Sequence, residues 1–218
     1  MKTEAKYILI KDYDYHLPHE QIAEFPLQER DQSKLLIFDD GKITDDYFFN
    51  LHEHLTEDST LILNNTRVIE ARVLFKKATG GVIEIFCLEP FQQTIEQSLS
   101  SFGRVQWQCL IGGASKWKSG QVLEKEIFIG SDSVQAHATY VGKETDSFII
   151  DFFWEGQYSF AEILHAAGAI PLPPYIKRNA TEEDRARYQT IFSKQEGSVA
   201  APTAALHFTK RSFITGWI

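Results

Sequence analysis

Between Arg72 and Trp154 the chain alternates apolar and polar residues with the period of a β-strand, and on either side the spacing turns helical or irregular. Five β-runs recur there, at residues 82–88, 105–111, 122–129, 134–141 and 148–154. In the second, Val105, Trp107, Cys109 and Ile111 alternate with Gln106 and Gln108, the pattern of a strand with one face buried. Gly80-Gly81, Gly112-Gly113, Gly120, Gly130 and Gly142 punctuate the runs. Short strands at this spacing predict a small barrel or sandwich. Gly112-Gly113-Ala114-Ser115-Lys116 lacks the spacing of a phosphate-binding loop.

The flanks read differently. Residues 18–25 predict a short helix stopped by Pro26. Residues 35–43 predict a hairpin, with Asp40-Gly41 supplying the positive-φ turn. Leu61-Ile62-Leu63 reads as a short buried strand delivering Asn64-Asn65-Thr66-Arg67 on a loop. Ser159-Phe160-Ala161-Glu162 is a capping box, and Gly168 is a natural stop for the helix it opens. Thr181 starts a second helix, predicted to run to about Ser193, with Glu182, Glu183 and Asp184 favourably placed in its first turn. The reading is a β-module between two α/β pieces, with no internal repeat.

Composition narrows this picture. The chain has 218 residues, 43% of them hydrophobic, enough for a substantial core. No apolar run approaches the ~20 residues of a membrane helix. The start at Met1-Lys2-Thr3-Glu4-Ala5-Lys6 lacks the apolar core of a signal peptide, so a cytoplasmic protein is expected. Cys87 and Cys109 sit in apolar runs and read as buried free thiols. The net charge of −8 argues against a generally basic, phosphate-coated surface. An RNA partner would need a local basic face, for which Lys76-Lys77, Lys116 with Lys118, Lys177-Arg178 and Arg185 with Arg187 are the candidates. His52-Glu53-His54 lacks the further ligands of a metal site and reads as surface.

The run Gly197-Ser198-Val199-Ala200-Ala201-Pro202-Thr203-Ala204-Ala205-Leu206-His207-Phe208-Thr209 is unlike the rest of the chain. Its small side chains allow a ligand close to the backbone, and its single imidazole can take or give a proton. Three other segments share its character. They are Tyr13-Asp14-Tyr15-His16-Leu17-Pro18 leading to Arg30-Asp31-Gln32-Ser33-Lys34; Asn64-Asn65-Thr66-Arg67-Val68 with Ala71-Arg72; and Ile170-Pro171-Leu172-Pro173-Pro174-Tyr175-Ile176-Lys177-Arg178 followed by Arg187-Tyr188-Gln189-Thr190. In order and spacing, from about Tyr13 to Thr209, these segments resemble the S-adenosylmethionine:tRNA ribosyltransferase-isomerase family of queuosine biosynthesis. The chain departs from the family pattern at Lys34, usually Arg; at Glu70, usually Pro; and at Ala205, usually Gly. The residues after Thr209 do not resemble the family's continuation. The expectation is a chain incomplete at its C-terminal end: a truncated product, a frameshifted gene or a fragment.

The resemblance implies α/β plus β architecture: a discontinuous mixed α/β domain, residues 1–72 and 156–218, with an inserted β-barrel domain at 73–155. A missing second half would leave apolar surface exposed or covered by self-association. The implied reaction moves the ribosyl part of S-adenosylmethionine to an aminomethyl-deazaguanine base at the tRNA wobble position. Epoxyqueuosine forms, adenine and methionine leave, and no metal takes part. His207 is the candidate for proton transfer. Thr203 and Ser198 suit ribose hydroxyls or the ordering of His207, or plain loop caps. Asn64, Asn65 and Thr66 suit a ribose or base edge, or an Asx-stabilised turn. Arg67 and Arg72 suit a carboxylate or phosphate, or an internal salt bridge. Arg30 and Asp31, with Ser33 beside them, can do either job, an internal ion pair being the better reading for the first two. Tyr175 suits stacking on a base, or a packed corner. Lys177, Arg178, Tyr188 and Gln189 suit a tRNA-facing side. A non-catalytic remnant that binds without turnover, or a paralogue with another acceptor, stands as the alternative.

Overall fold

The computed structural model describes residues 7–217 apart from Ala78, Ser119 and Pro174, with no side chains beyond Phe213. The first six residues, read above for a missing signal peptide, lie outside the described residues. In chain order the elements are β1 (Lys34–Asp39), β2 (Lys42–Tyr47), β3 (Thr66–Val68), β4 (Arg72–Lys76), β5 (Val82–Pro90), α1 (Ile95–Leu99), β6 (Arg104–Gly112), β7 (Leu123–Ile129), β8 (Asp132–Lys143), β9 (Phe148–Trp154), α2 (Phe160–Ala167), β10 (Gly168–Ala169), α3 (Glu182–Arg187), β11 (Gln195–Ser198) and α4 (Lys210–Trp217). Short 3-10 turns link several of them.

The five β-runs form strands close to their expected bounds. They join one antiparallel sheet of seven strands in the order β10-β4-β5-β6-β9-β8-β7. Bulges between Cys87 and Glu89 and between Tyr140 and Gly142 add local twist and curl the sheet. The result is half of a barrel rather than the complete barrel of the expectation. Among the described residues no ladder joins β7 to β4; instead Lys125 Nζ on β7 donates to the Leu74 carbonyl at 2.9 Å. Helix α2 touches β4, β7 and β10 and fills the open side. Its capping box at Ser159 and Glu162 is present.

The concave face holds the core. Val73, Phe75, Ile83, Ile85, Val105, Trp107, Ile150 and Phe152 are buried there, at alternate positions of their strands, and in β9 Ile149 and Asp151 beside them are buried as well. Phe160 of α2 is fully buried, with ring centroids 5.5, 5.3 and 5.7 Å from those of Trp107, Phe152 and Trp154. Cys87 and Cys109 are buried free thiols opposite one another in β5 and β6, as expected. Burial raises the Cys109 pKa, which keeps it protonated.

Gly168 follows α2 with an extended backbone, φ −95° and ψ 171°, rather than the left-handed cap. A Cβ there would lie 2.0 Å from the Glu70 carbonyl oxygen, so close backbone approach is what demands glycine. The β1–β2 hairpin forms as expected, turning through Asp40 and Gly41 at φ 43° and 79°. Leu36, Phe38 and Ile43 on one of its faces are each roughly two-thirds exposed.

Three expectations for the flanks are corrected. Residues 18–25 make a single 3-10 turn, His19–Gln21, and then an irregular segment with bends at Ile22, Glu24 and Phe25. Pro26 excludes Phe25 from the α region, and Arg178 and Arg187 take the carbonyls of Glu24, Leu27 and Gln28. Leu61-Ile62-Leu63 is irregular, with Ile62 exposed. The strand lies further on, at β3, paired in parallel with β11. Helix α3 ends at Arg187 rather than near Ser193, because the Gln189 side chain turns back onto Val68.

Candidate active site at the small-residue run

The small-residue run lies where three cavities meet. Thr203 opens a 3-10 turn, Thr203–His207, and lines all three. The first, of about 420 Å³, is bounded by Arg30, Ser33, Lys34, Tyr175, Tyr188 and His207, with Phe25 and Leu27 of the irregular strap that precedes Arg30. The second, of about 610 Å³, lies between Tyr175 and Ala200-Ala201 on one side and Arg72, Glu84, Phe86 and Gly112 on the convex face of the sheet. Tyr175, half exposed, is shared by both. The third, of about 560 Å³, is apolar apart from Asn64 and Thr203 and includes Phe48, Leu51, Ile62 and Pro202.

Four distant segments are brought together by side chains that bond to backbone. The Gln189 amide accepts from Val68 N at 2.9 Å and donates to Val68 O at 2.8 Å, pairing with β3 as a strand would. Arg30 donates to the carbonyls of Gln189 (2.9 Å) and Arg187 (3.5 Å). Arg187 reaches back to the carbonyls of Gln28 and Leu27. Burial and the nearby Arg187 charge lower the Arg30 pKa, yet a guanidinium stays charged, and Arg30 lines the 420 Å³ cavity.

His207 is half-buried, its ring 5.2 Å from that of Phe48 and its Nδ1 3.4 Å from the Arg30 carbonyl oxygen. A carbonyl only accepts, so this contact favours the tautomer with the proton on Nδ1. Nε2 then holds the lone pair a general base needs.

Other expected site residues are occupied within the protein. Asp31 is buried and receives hydrogen bonds from Thr209 Oγ1 at 2.7 Å and Arg211 at 3.3 Å; it does not pair with Arg30. Ser33 bonds the Arg30 carbonyl. Arg178 grips Asp184 with two hydrogen bonds of 2.6 and 2.8 Å and lies 4.2 Å over the Phe25 ring. These bonds hold the Asp184 carboxyl below its usual pKa, with Thr181 assisting. Asn64 accepts from Thr66 N and Oγ1, forming an Asx turn, and Ser198 bonds within its own turn to Ala200. Asn65 lends its carbonyl to Lys194 and Gln195. Tyr188 is half-buried, and burial raises its pKa.

Arg72 lines the second cavity with its guanidinium 5.8 Å from the Phe86 ring centre and its Nε 3.1 Å from Glu84 Oε1, an ion pair in which Nε makes no hydrogen bond. Arg67 is exposed and, among the described residues, has no polar partner; it borders a separate charged cleft with Arg185 and Glu70. Lys177 is exposed beside Arg178. Pro174, beside Tyr175 in sequence, lies outside the described residues. The departure at Glu70 has a physical role: its carboxylate lies 2.9 Å from Arg185 and 3.1 Å from His165, tying α2 to α3. Sequence reasoning missed Phe25 and Leu27 as cavity walls. Their only signal was the proline between them.

A motif-bearing loop cluster is held against the curled sheet and sets an imidazole, His207, and a guanidinium, Arg30, on one cavity. Comparison with known proteins gives the family. The family model described as queuosine biosynthesis protein matches residues 10–215, and the chain belongs to that family. It is 37% identical over 204 residues to an S-adenosylmethionine:tRNA ribosyltransferase-isomerase of Pelobacter propionicus, covering 93% of this chain and 54% of that protein. It is 38% identical over 203 residues to the protein so named in Fusobacterium nucleatum, covering 92% and 52%. The chain thus spans about half the length of the curated relatives it matches. Among the described residues no helix is long and apolar enough to cross a membrane.

Proposed function

We propose that this chain contributes to the reaction for which its relatives are named, transfer and isomerisation of the ribosyl group of S-adenosylmethionine onto tRNA. The acceptor is the aminomethyl-deazaguanine base at the wobble position, and adenine and methionine leave. Residues 73–155 act as an inserted β-domain and the flanking segments, 1–72 and 156–218, as the catalytic α/β domain.

The observation that carries this reading is the convergence of Arg30, Ser33, Tyr175, Tyr188, Thr203 and His207, drawn from three separate motif segments, on one cavity of about 420 Å³. The sulfonium of S-adenosylmethionine acidifies the adjoining ribose carbon. His207, through Nε2, removes that proton; adenine leaves from the ribose, the amine of the acceptor base bonds to the carbon adenine vacates, and methionine leaves as the ring rearranges to the epoxide. Thr203 holds a ribose hydroxyl. Arg30 and Lys34 place positive charge where the methionine carboxylate sits. Tyr175, on the wall shared with the second cavity, stacks on the acceptor base.

The test is turnover by the chain itself, using labelled S-adenosylmethionine and tRNA carrying the aminomethyl-deazaguanine, with adenine release and label on RNA both followed. Both signals are expected, with His207→Ala abolishing them while the circular dichroism spectrum stays unchanged. Near-normal turnover by His207→Ala would remove His207 from the mechanism. Neither signal from the folded wild-type chain, beside an active full-length relative, would make this chain a binding remnant.

A further inference from the structure

In a chain of net charge −8, residues 76–81 and 113–122 hold four lysines, Lys76, Lys77, Lys116 and Lys118, and no acidic residue. The fold brings the two segments together. Strand β5 pairs with β6 so that Glu84 stands opposite Gly112, which puts the β4–β5 turn and the loop after β6 at one end of the sheet. Lys77 Nζ then donates to the Lys116 carbonyl, tying the segments to each other.

The loop after β6 is built rather than loose. Trp117 is buried in the core, and its Nε1 donates to the Gln121 carbonyl at 2.8 Å. With Trp117 turned in, Lys116 and Lys118 on either side are exposed. Lys76 is exposed as well, on the convex face of β4 that it shares with Arg72 and Leu74. Among the described residues Lys76, Lys116 and Lys118 have no ion-pair partner. Holding unneutralised cations on a fixed loop suits an anionic ligand and contributes nothing to folding.

This end of the sheet is continuous with the candidate site. Arg72, four residues before Lys76, lies about 13 Å from it along the strand and lines the 610 Å³ cavity with Tyr175 and Gly112. Glu84, on the same surface, is offset by Arg72 at 3.1 Å. The β8–β9 turn at this end adds Lys143 with Glu144 and Asp146, so the balance stays positive.

We propose that the lysine-bearing end of the curled sheet docks the sugar–phosphate backbone of the RNA strand whose base enters the cavity beside Tyr175. This rests on the functional reading above, and it names the surface that lets an acidic protein hold a polyanion. Cations grouped at one end of the sheet, beside a cavity walled by Phe86 and Tyr175, match a nucleic-acid strand, whose phosphates recur along its length while its bases stack.

The test is fluorescence anisotropy of the full chain with a labelled RNA stem-loop across a salt series, with S-adenosylmethionine binding measured calorimetrically on the same samples. The Lys76→Gln/Lys116→Gln/Lys118→Gln variant should bind RNA at least about tenfold more weakly, with the slope of log K against log salt shallower by about two. Lys11→Gln/Lys42→Gln, changed far from this end, should bind as wild type does, and all three proteins should bind S-adenosylmethionine alike. Unchanged affinity and slope in the triple variant would overturn the lysine surface while leaving the proposed function standing. A glutamate polymer that competes as well as RNA would overturn the choice of partner. Absence of RNA binding by the wild type at low salt would overturn the inference. The proposed function would fall with it only if S-adenosylmethionine binding were absent too.

Discussion

The curled sheet and the loop cluster beside it are held together by different physics. In residues 72–154 nearly every strand pairs through its backbone, and alternate side chains enter one apolar core. The cluster of residues 18–33, 64–71 and 170–209 has two three- to four-residue strands and a small core of Val68, Ile170 and Leu172. Its geometry rests on Arg30, Arg178, Arg187 and Gln189, whose side chains bond backbone carbonyls up to 160 positions away. Burial stabilises the sheet without preference for one detailed placement of its loops. Directional tethers stabilise the cluster less and fix its geometry more. Local opening is therefore expected to begin at the cluster.

That contrast can be broken most severely at Phe160. Phe160→Ala empties the centre of the aromatic group formed with Trp107, Phe152 and Trp154, at a cost of about 3–5 kcal/mol. Urea denaturation should show a large loss of global stability. Asp184→Asn acts on the cluster and should cost less, about 1.5–3 kcal/mol, because it removes the charged partner of Arg178. The folded-state pKa of Asp184 is depressed. Its stabilisation is thus present above the ordinary carboxylate range, near pH 4, and is lost as pH falls through the lower folded value. The difference in urea midpoint between wild type and Asp184→Asn should shrink below about pH 4. Gln189→Leu should have the smallest thermodynamic effect, about 1 kcal/mol. It frees both backbone groups of Val68, so hydrogen exchange should speed up at β3 and β11 while the sheet stays protected. Equal acceleration in both regions would dissolve the distinction.

The same contrast explains what could be read from the sequence. Val105 to Ile111 announces its strand because the burial that makes it a strand is local and periodic. The hairpin at Asp40-Gly41 announces itself because the turn demands positive φ. The strap from Pro18 to Gln28 carried no such signal. Its conformation is set by Arg178 and Arg187, more than 150 positions later. For the site, the resemblance gathered Arg30, Ser33, Tyr175, Tyr188, Thr203 and His207, which line one cavity. It also gathered Asp31, Arg178 and Gln189, which do not line that cavity and whose polar groups, like those of Arg30 and Ser33, bond within the protein. Residue type cannot separate these two uses, since a guanidinium suits a phosphate and a buried carboxylate equally well. Helix α3 was overextended for a related reason: its C-terminal stop is the turn of Gln189 onto Val68, not a local capping signal.

The most direct test of the account is calorimetric titration of S-adenosylmethionine into the wild-type chain and into Thr203→Trp, which fills the junction of the three cavities. The account predicts saturable binding to the wild type and its loss in Thr203→Trp, with the melting temperature unchanged. Undiminished binding by Thr203→Trp, or none by the folded wild-type chain, would contradict it.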